Sequence, residues 1–160
     1  MALQTQGAND MGGMLTGIPR FQLDFNTFYD LHRVVGLKSL PAAGHSRFAS
    51  HLALYFPEAA ARIDENDFGI LHLEVGALKI LTREAIAKRD WESVGEHYSF
   101  VEVMMAVGGD ELCDALQVSY LGSLFYGETS LNFAKARSLL PKKLASILEN
   151  VESHYEHMVP

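Results

Sequence analysis

The sequence contains a single cysteine, Cys113, a single tryptophan, and no Lys or Arg anywhere between Arg89 and Lys135. A lone thiol with no CxxC around it excludes a disulfide scaffold and suits a reducing compartment; a small buried filler is its expected role. No apolar run approaches the roughly 18 residues that a spanning helix needs. The opening MALQTQGANDMGGMLTGIPR has no basic cluster ahead of an apolar stretch, so no signal peptide is predicted either, and cytoplasmic residence is the expectation. Gly12-Gly13 and Gly108-Gly109 lack the lysine, flanking strand and spacing of a phosphate loop, and Ser119 and Ser123 lack a nucleophile elbow. No motif names a reaction, so the chain reads as a protein without catalytic equipment or cofactor.

What is present describes one well-cored domain. The 160 residues are 48% apolar with a net charge of −7, and a chain of this length buries about 70% of its unfolded surface without disulfides or metal. Residues 1–20 are rich in Gly, Gln and small polar residues and read as a flexible segment, leaving 21–160 as a single helical domain. Asn26 or Thr27 opens a short helix to Val35, and Ser46 opens another to Tyr55, before Pro57. Asn66 or Asp67 begins a long helix over 68–88, and Asp90 caps the next over 91–107, which Gly108-Gly109 stops. Asp110 starts a third, with Leu112, Ala115, Leu116, Val118, Leu121 and Phe125 inward, and Gly127 ends it. Ser130 caps a helix to Leu139, and Pro141 starts the last toward His157. Short loops make the long helices antiparallel neighbours, so the prediction is an all-α compact antiparallel bundle of six to seven helices.

Charge is unevenly placed. Asp90, Glu92, Glu96, Glu102, Asp110, Glu111, Asp114 and Glu128 fall in the window without basic residues and carry −8, while the rest of the chain sums to +1. Glu92, Glu96 and Glu102 recur at helical spacing, as do Asp110 and Asp114, so an antiparallel hairpin of the two helices merges them into one acidic face. Single-sign fields repel themselves unless they steer something, whereas acids on outward stripes also simply solvate a bundle. The first reading makes Glu92, Glu96, Glu102, Asp110, Glu111, Asp114 and Glu128, with Tyr120 as an aromatic anchor, a binding surface for a basic partner. The same acidity excludes a general nucleic-acid binder, which needs surplus Lys and Arg.

Other candidates are weaker. His154 and His157 share a helical face near the C-terminus, but no third ligand is fixed, so no metal site is assigned. His72 falls on a polar stripe with Gly76, Lys79 and Arg83. Glu74 falls among Ile70, Leu71, Leu78, Leu81 and Ala85, and a buried carboxylate must be paired, protonated or functional. Pairing with a Tyr hydroxyl or an Arg of another helix is the structural reading, and a small enzyme built on Glu74 and a histidine the catalytic one. The helix pair 68–88 and 91–107 also looks like one tetratricopeptide unit, which keeps a scaffold reading open, although no second copy follows at a fixed period.

The order FPEAAARI, DFGILHLEVGALKILTREAIAKRDW, DALQVSYLGSL and ARSLLPKKL, from His51 to the end, resembles a bacterial family of compact α-helical domains associated with immunity proteins of polymorphic and contact-delivered toxins. These are patterns of packing and capping, and they carry over no functional residue. The resemblance implies a cytoplasmic protein that binds one cognate toxin and occludes its active site. Together with the charge map, it predicts docking of the acidic helical face on a basic toxin domain by a monomer or homodimer.

Overall fold

The computed structural model describes residues 47–158. The 1–20 segment, the expected helix ending at Val35 and the expected cap at Ser46 lie outside the described residues. Within them the fold is all-α, with seven helices and no strand, as capping and spacing predict. None of these helices is long and apolar enough to cross a membrane.

Helix α1 (Arg47–Tyr55) buries Phe48, Ala49, Leu52 and Tyr55 on one face. Its ladder continues into Phe56, and Pro57 takes the first position of α2 (Pro57–Ala60), where a missing N–H costs nothing. The Phe100 ring of α4 (Trp91–Val107) anchors this pair, with the Phe56 ring edge-on at 5.2 Å and those of Phe48 and Tyr55 at 6.0 Å.

Helix α3 (Leu71–Lys88) starts three residues later than its apolar pattern suggests, and neither Asn66 nor Asp67 caps it. Gly69 has φ 86°, a left-handed conformation that interrupts the helix and favours glycine. The first turn is closed instead by the fully buried Glu74, whose carboxylate accepts the Gly69 N–H at 2.8 Å. At the other end, Arg89 adopts φ 58° and donates to Ile86, while the Asp90 N–H reaches back to Ala85. This is the paired-bond helix stop in which glycine is usual and arginine is strained. Asp90 then caps α4, accepting from the Ser93 amide at 3.2 Å and the Ser93 hydroxyl at 2.7 Å.

Gly108 ends α4 at a tight corner, where a Cβ would lie 2.7 Å from both the Met104 carbonyl and Leu112. Helix α5 follows over 110–125, in three parts: Asp110–Ala115 is α-helical, Leu116–Gly122 is π-helical and Ser123–Phe125 is α-helical again. The wider π turns shift the register. Val118, expected inward, is 38% exposed, and Tyr120, expected at a binding surface, is fully buried. Helices α6 (Leu131–Ser138) and α7 (Lys142–Met158) complete the chain, with Ser130 capping α6 through the Phe133 amide.

Helix α3 is the hub, in contact with α1, α2, α4, α5 and α6. The expected hairpin of α4 and α5 is corrected by this arrangement. The two helices meet mainly over Asp110–Ala115, beyond which the π segment lies on α3 and α7. With Leu116, Tyr120, Leu121 and Leu124 committed to that packing, α5 has no apolar face left for the length of α4.

Candidate functional site

A groove of about 330 Å³ opens where α2, the second half of α3 and the first half of α4 converge. Its apolar floor is Phe56, Leu81 and Ala85. Five carboxylates line it: Glu58 from the first turn of α2, Glu84 from α3, the cap residue Asp90, and Glu92 and Glu96 one turn apart on α4. Lys88 and Ser93 complete the walls.

Two of these carboxylates are already engaged. Glu84 takes a two-point contact from the Arg62 guanidinium at 2.7 and 2.8 Å, which holds its carboxyl below the ordinary range. The Ser93 hydroxyl and amide do the same for Asp90. The carboxylates of Glu58, Glu92 and Glu96 make no hydrogen bond or ion pair among the described residues. The groove is therefore a concave, negatively charged surface with three uncommitted acids.

His97 forms its inner wall and is only 3% exposed. Its Nδ1 lies 3.1 Å from the Thr82 hydroxyl, and the Phe56 ring meets it edge-on at 4.9 Å. Thr82 donates to the Leu78 carbonyl at 2.9 Å and also contacts the Tyr120 hydroxyl at 2.9 Å. A hydroxyl has one proton, and the arrangement that satisfies all three contacts gives it to Leu78, with Tyr120 O–H and His97 Nδ1–H donating to Thr82. In that arrangement the imidazole is neutral with its proton inward.

Burial drives the His97 pKa down to about 4, against the pull of Asp90 and Glu58. The unfolded chain, with an ordinary value near 6.5, then binds more protons than the folded one between those limits, so stability rises with pH across them. Acidification from pH 7 toward pH 4 is expected to cost roughly 3 kcal/mol from this group alone. Denaturant titrations at stepped pH should show that loss beginning near pH 6.5, and His97→Gln should remove the segment above pH 5, where carboxylates contribute least.

The expected acidic face divides into two. Glu92 and Glu96 belong to the groove, whereas Asp110, Glu111 and Asp114 are exposed at the far corner. The 17 residues of α4 separate them by about 25 Å. Glu102 is half-buried between the two groups. Two candidates leave the list. Tyr120 is enclosed in the Thr82 network because the π register turns it inward, and Glu128 is ion-paired with Arg83, a cation supplied from outside the window. Glu58 and Glu84 are the residues that sequence reasoning missed, because only the packing of α2 and α3 against α4 brings them to Glu92.

The remaining candidates are structural or isolated. Glu74 accepts a backbone amide of its own helix start. Cys113 is half-buried, its thiol 3.3 Å from the Met105 carbonyl. His72 Nδ1 stands 2.7 Å from the Ser119 hydroxyl at the surface, a tie between α3 and the π segment. Among the described residues no three His, Cys, Asp or Glu side chains are grouped to hold a metal ion.

Residues 49–156 match the model of a family described as a domain of unknown function, DUF7674. No curated protein and no solved structure matches the chain.

Proposed function

The chain belongs to the DUF7674 family, and from that premise we propose that it is a binding protein whose acidic groove captures a basic partner domain. In the cell, the proposed role is that of an immunity protein, with a cognate toxin as the partner. The observation that carries the reading is the groove itself: Glu58, Glu92 and Glu96 are uncommitted around one concavity, beside a 90–134 window that contributes no cation.

Unpaired carboxylates that share a concavity repel one another, and that repulsion is relieved when a cation enters. A toxin domain that handles an anionic substrate presents positive charge at its active site, so a negative concavity is complementary to the surface that must be blocked. Long-range attraction between opposite fields raises association rates toward 10⁸ per molar per second or more, and speed matters to an inhibitor that must precede damage. The packing of α2, α3 and α4 fixes the backbone positions from which the acids project, so binding need not order the backbone as well.

The test is co-expression with each reading frame adjacent to the gene, to find one whose product arrests growth. The proposal expects growth to be restored and a stable complex to be recovered from the two purified proteins. Growth arrest that persists beside abundant folded protein would refute it.

A further inference from the structure

We infer that the groove receives one guanidinium group, accepted by His97 Nε2 together with the carboxylates of Glu58, Glu92 and Glu96. This deepens the partner reading above and rests on it for the source of the cation, an arginine side chain of the basic partner.

The acids alone would not carry this assignment; His97 does. Its residue is 3% exposed, its Nδ1 is committed inward to Thr82, and its ring lines the groove. Nε2 has no hydrogen-bond partner among the described residues. The proton order in the Thr82 network leaves a lone pair on that nitrogen, so it accepts and does not donate. A neutral acceptor with no protein donor, set in the wall of an acidic concavity, fits a ligand that brings N–H groups and positive charge together.

Donor number separates guanidinium from ammonium. Four acceptor groups without a protein donor line the space, on α2 and α4, and an ammonium offers only three donors from one point. A guanidinium offers five, spread in a plane, and can reach an imidazole and several carboxylates at once. The protein already uses this pairing at the rim, where Arg62 grips Glu84 through both oxygens. Among the described residues Lys88 is the one cation that lines the groove, and it makes no ion pair there, so it competes for the same field.

The probe is N-acetyl-arginine methylamide, followed by the imidazole nitrogen resonances of His97 in the full-length protein. The Nε2 signal should move saturably with roughly millimolar affinity, the range open to a ligand this small. Glu92→Gln with Glu96→Gln should weaken binding about ten-fold or more, and Lys88→Ala should tighten it about two- to three-fold, as exposed charges do in a screened site. Both variants alter surface residues, so their fold is checked by an unchanged unfolding midpoint. The neutral isostere N-acetyl-citrulline methylamide should leave His97 unmoved. An equal response to citrulline, no response to arginine, or equal saturation by N-acetyl-lysine methylamide or spermidine would each overturn the assignment. If the arginine probe saturates the groove while groove variants still protect against the toxin, the partner reading fails and the site stands. If those variants lose protection but no arginine probe binds, this inference fails alone.

Discussion

Thr82→Val lowers the unfolding free energy by about 3 kcal/mol, although it keeps the shape of the side chain and exposes nothing. Thr82 is fully buried and its oxygen holds three helices together through the Leu78 carbonyl, His97 Nδ1 and the Tyr120 hydroxyl. Valine fills the space but leaves an imidazole N–H and a phenol O–H in the core without an acceptor, and each such group costs roughly 1–3 kcal/mol. For a chain of this size the midpoint of thermal unfolding should fall by about 10 °C. A double-mutant cycle identifies the cause: Tyr120→Phe destabilises the native protein, but in the Thr82→Val background it costs at least about 1 kcal/mol less, because its hydroxyl is already orphaned. A Thr82→Val protein within about 0.5 kcal/mol of the native one would show that the network carries no stability.

Reversing the groove is the second large effect. Glu92→Lys with Glu96→Lys replaces two uncommitted acids by two cations beside Lys88, and turns attraction for a basic partner into repulsion. The association rate with the partner toxin domain at low salt should drop by about 100-fold, and its dependence on ionic strength should flatten. The fold should tolerate the change, since Glu92 is exposed and Glu96, half-buried, borders the groove; a lysine in the first turn of α4 costs about 0.3–1 kcal/mol against the helix dipole. Asp110→Lys with Asp114→Lys adds the same charge at the far corner. With both pairs compared at about 0.15 M ionic strength, where the Debye length is about 8 Å, that pair should change the rate by less than about 5-fold, because the corner lies well beyond that distance from the groove. Equal effects from both pairs would mean that net charge, not the groove, governs capture.

The helical architecture was legible because its stops and caps are local chemistry. Asp90 and Ser130 cap α4 and α6 as their side chains require, and Gly127, at φ 70°, supplies a left-handed stop that other residues resist. Two features resisted such reading. The start of α3 depends on a carboxylate reaching back from Glu74 to Gly69, which masks the ordinary cap signal at Asn66 and Asp67. The π segment has no local spelling: nothing in LQVSYLG distinguishes wide turns from narrow ones, and a register shift there exchanges Val118 for Tyr120 in the core.

The site was half legible for a similar reason. Linear charge counting located Glu92 and Glu96, since they share a helix face. It could not place Glu58 and Glu84 opposite them, because the contact between α2 and α3 spans more than twenty residues of chain. Nor could it detect that Arg83 neutralises Glu128 from outside the acidic window. A stripe of acids in sequence therefore became a smaller, deeper feature built from three helices, with His97 at its back.

The most direct test of the central claim is a growth assay in cells that express an adjacent gene found to arrest growth, together with the native chain, the Glu92/Glu96 reversal or the Asp110/Asp114 reversal, each at matched abundance. Protection by the native chain and the corner reversal, with none from the groove reversal at an unchanged unfolding midpoint, is the predicted result. Equal protection by all three would contradict the groove as the site of capture.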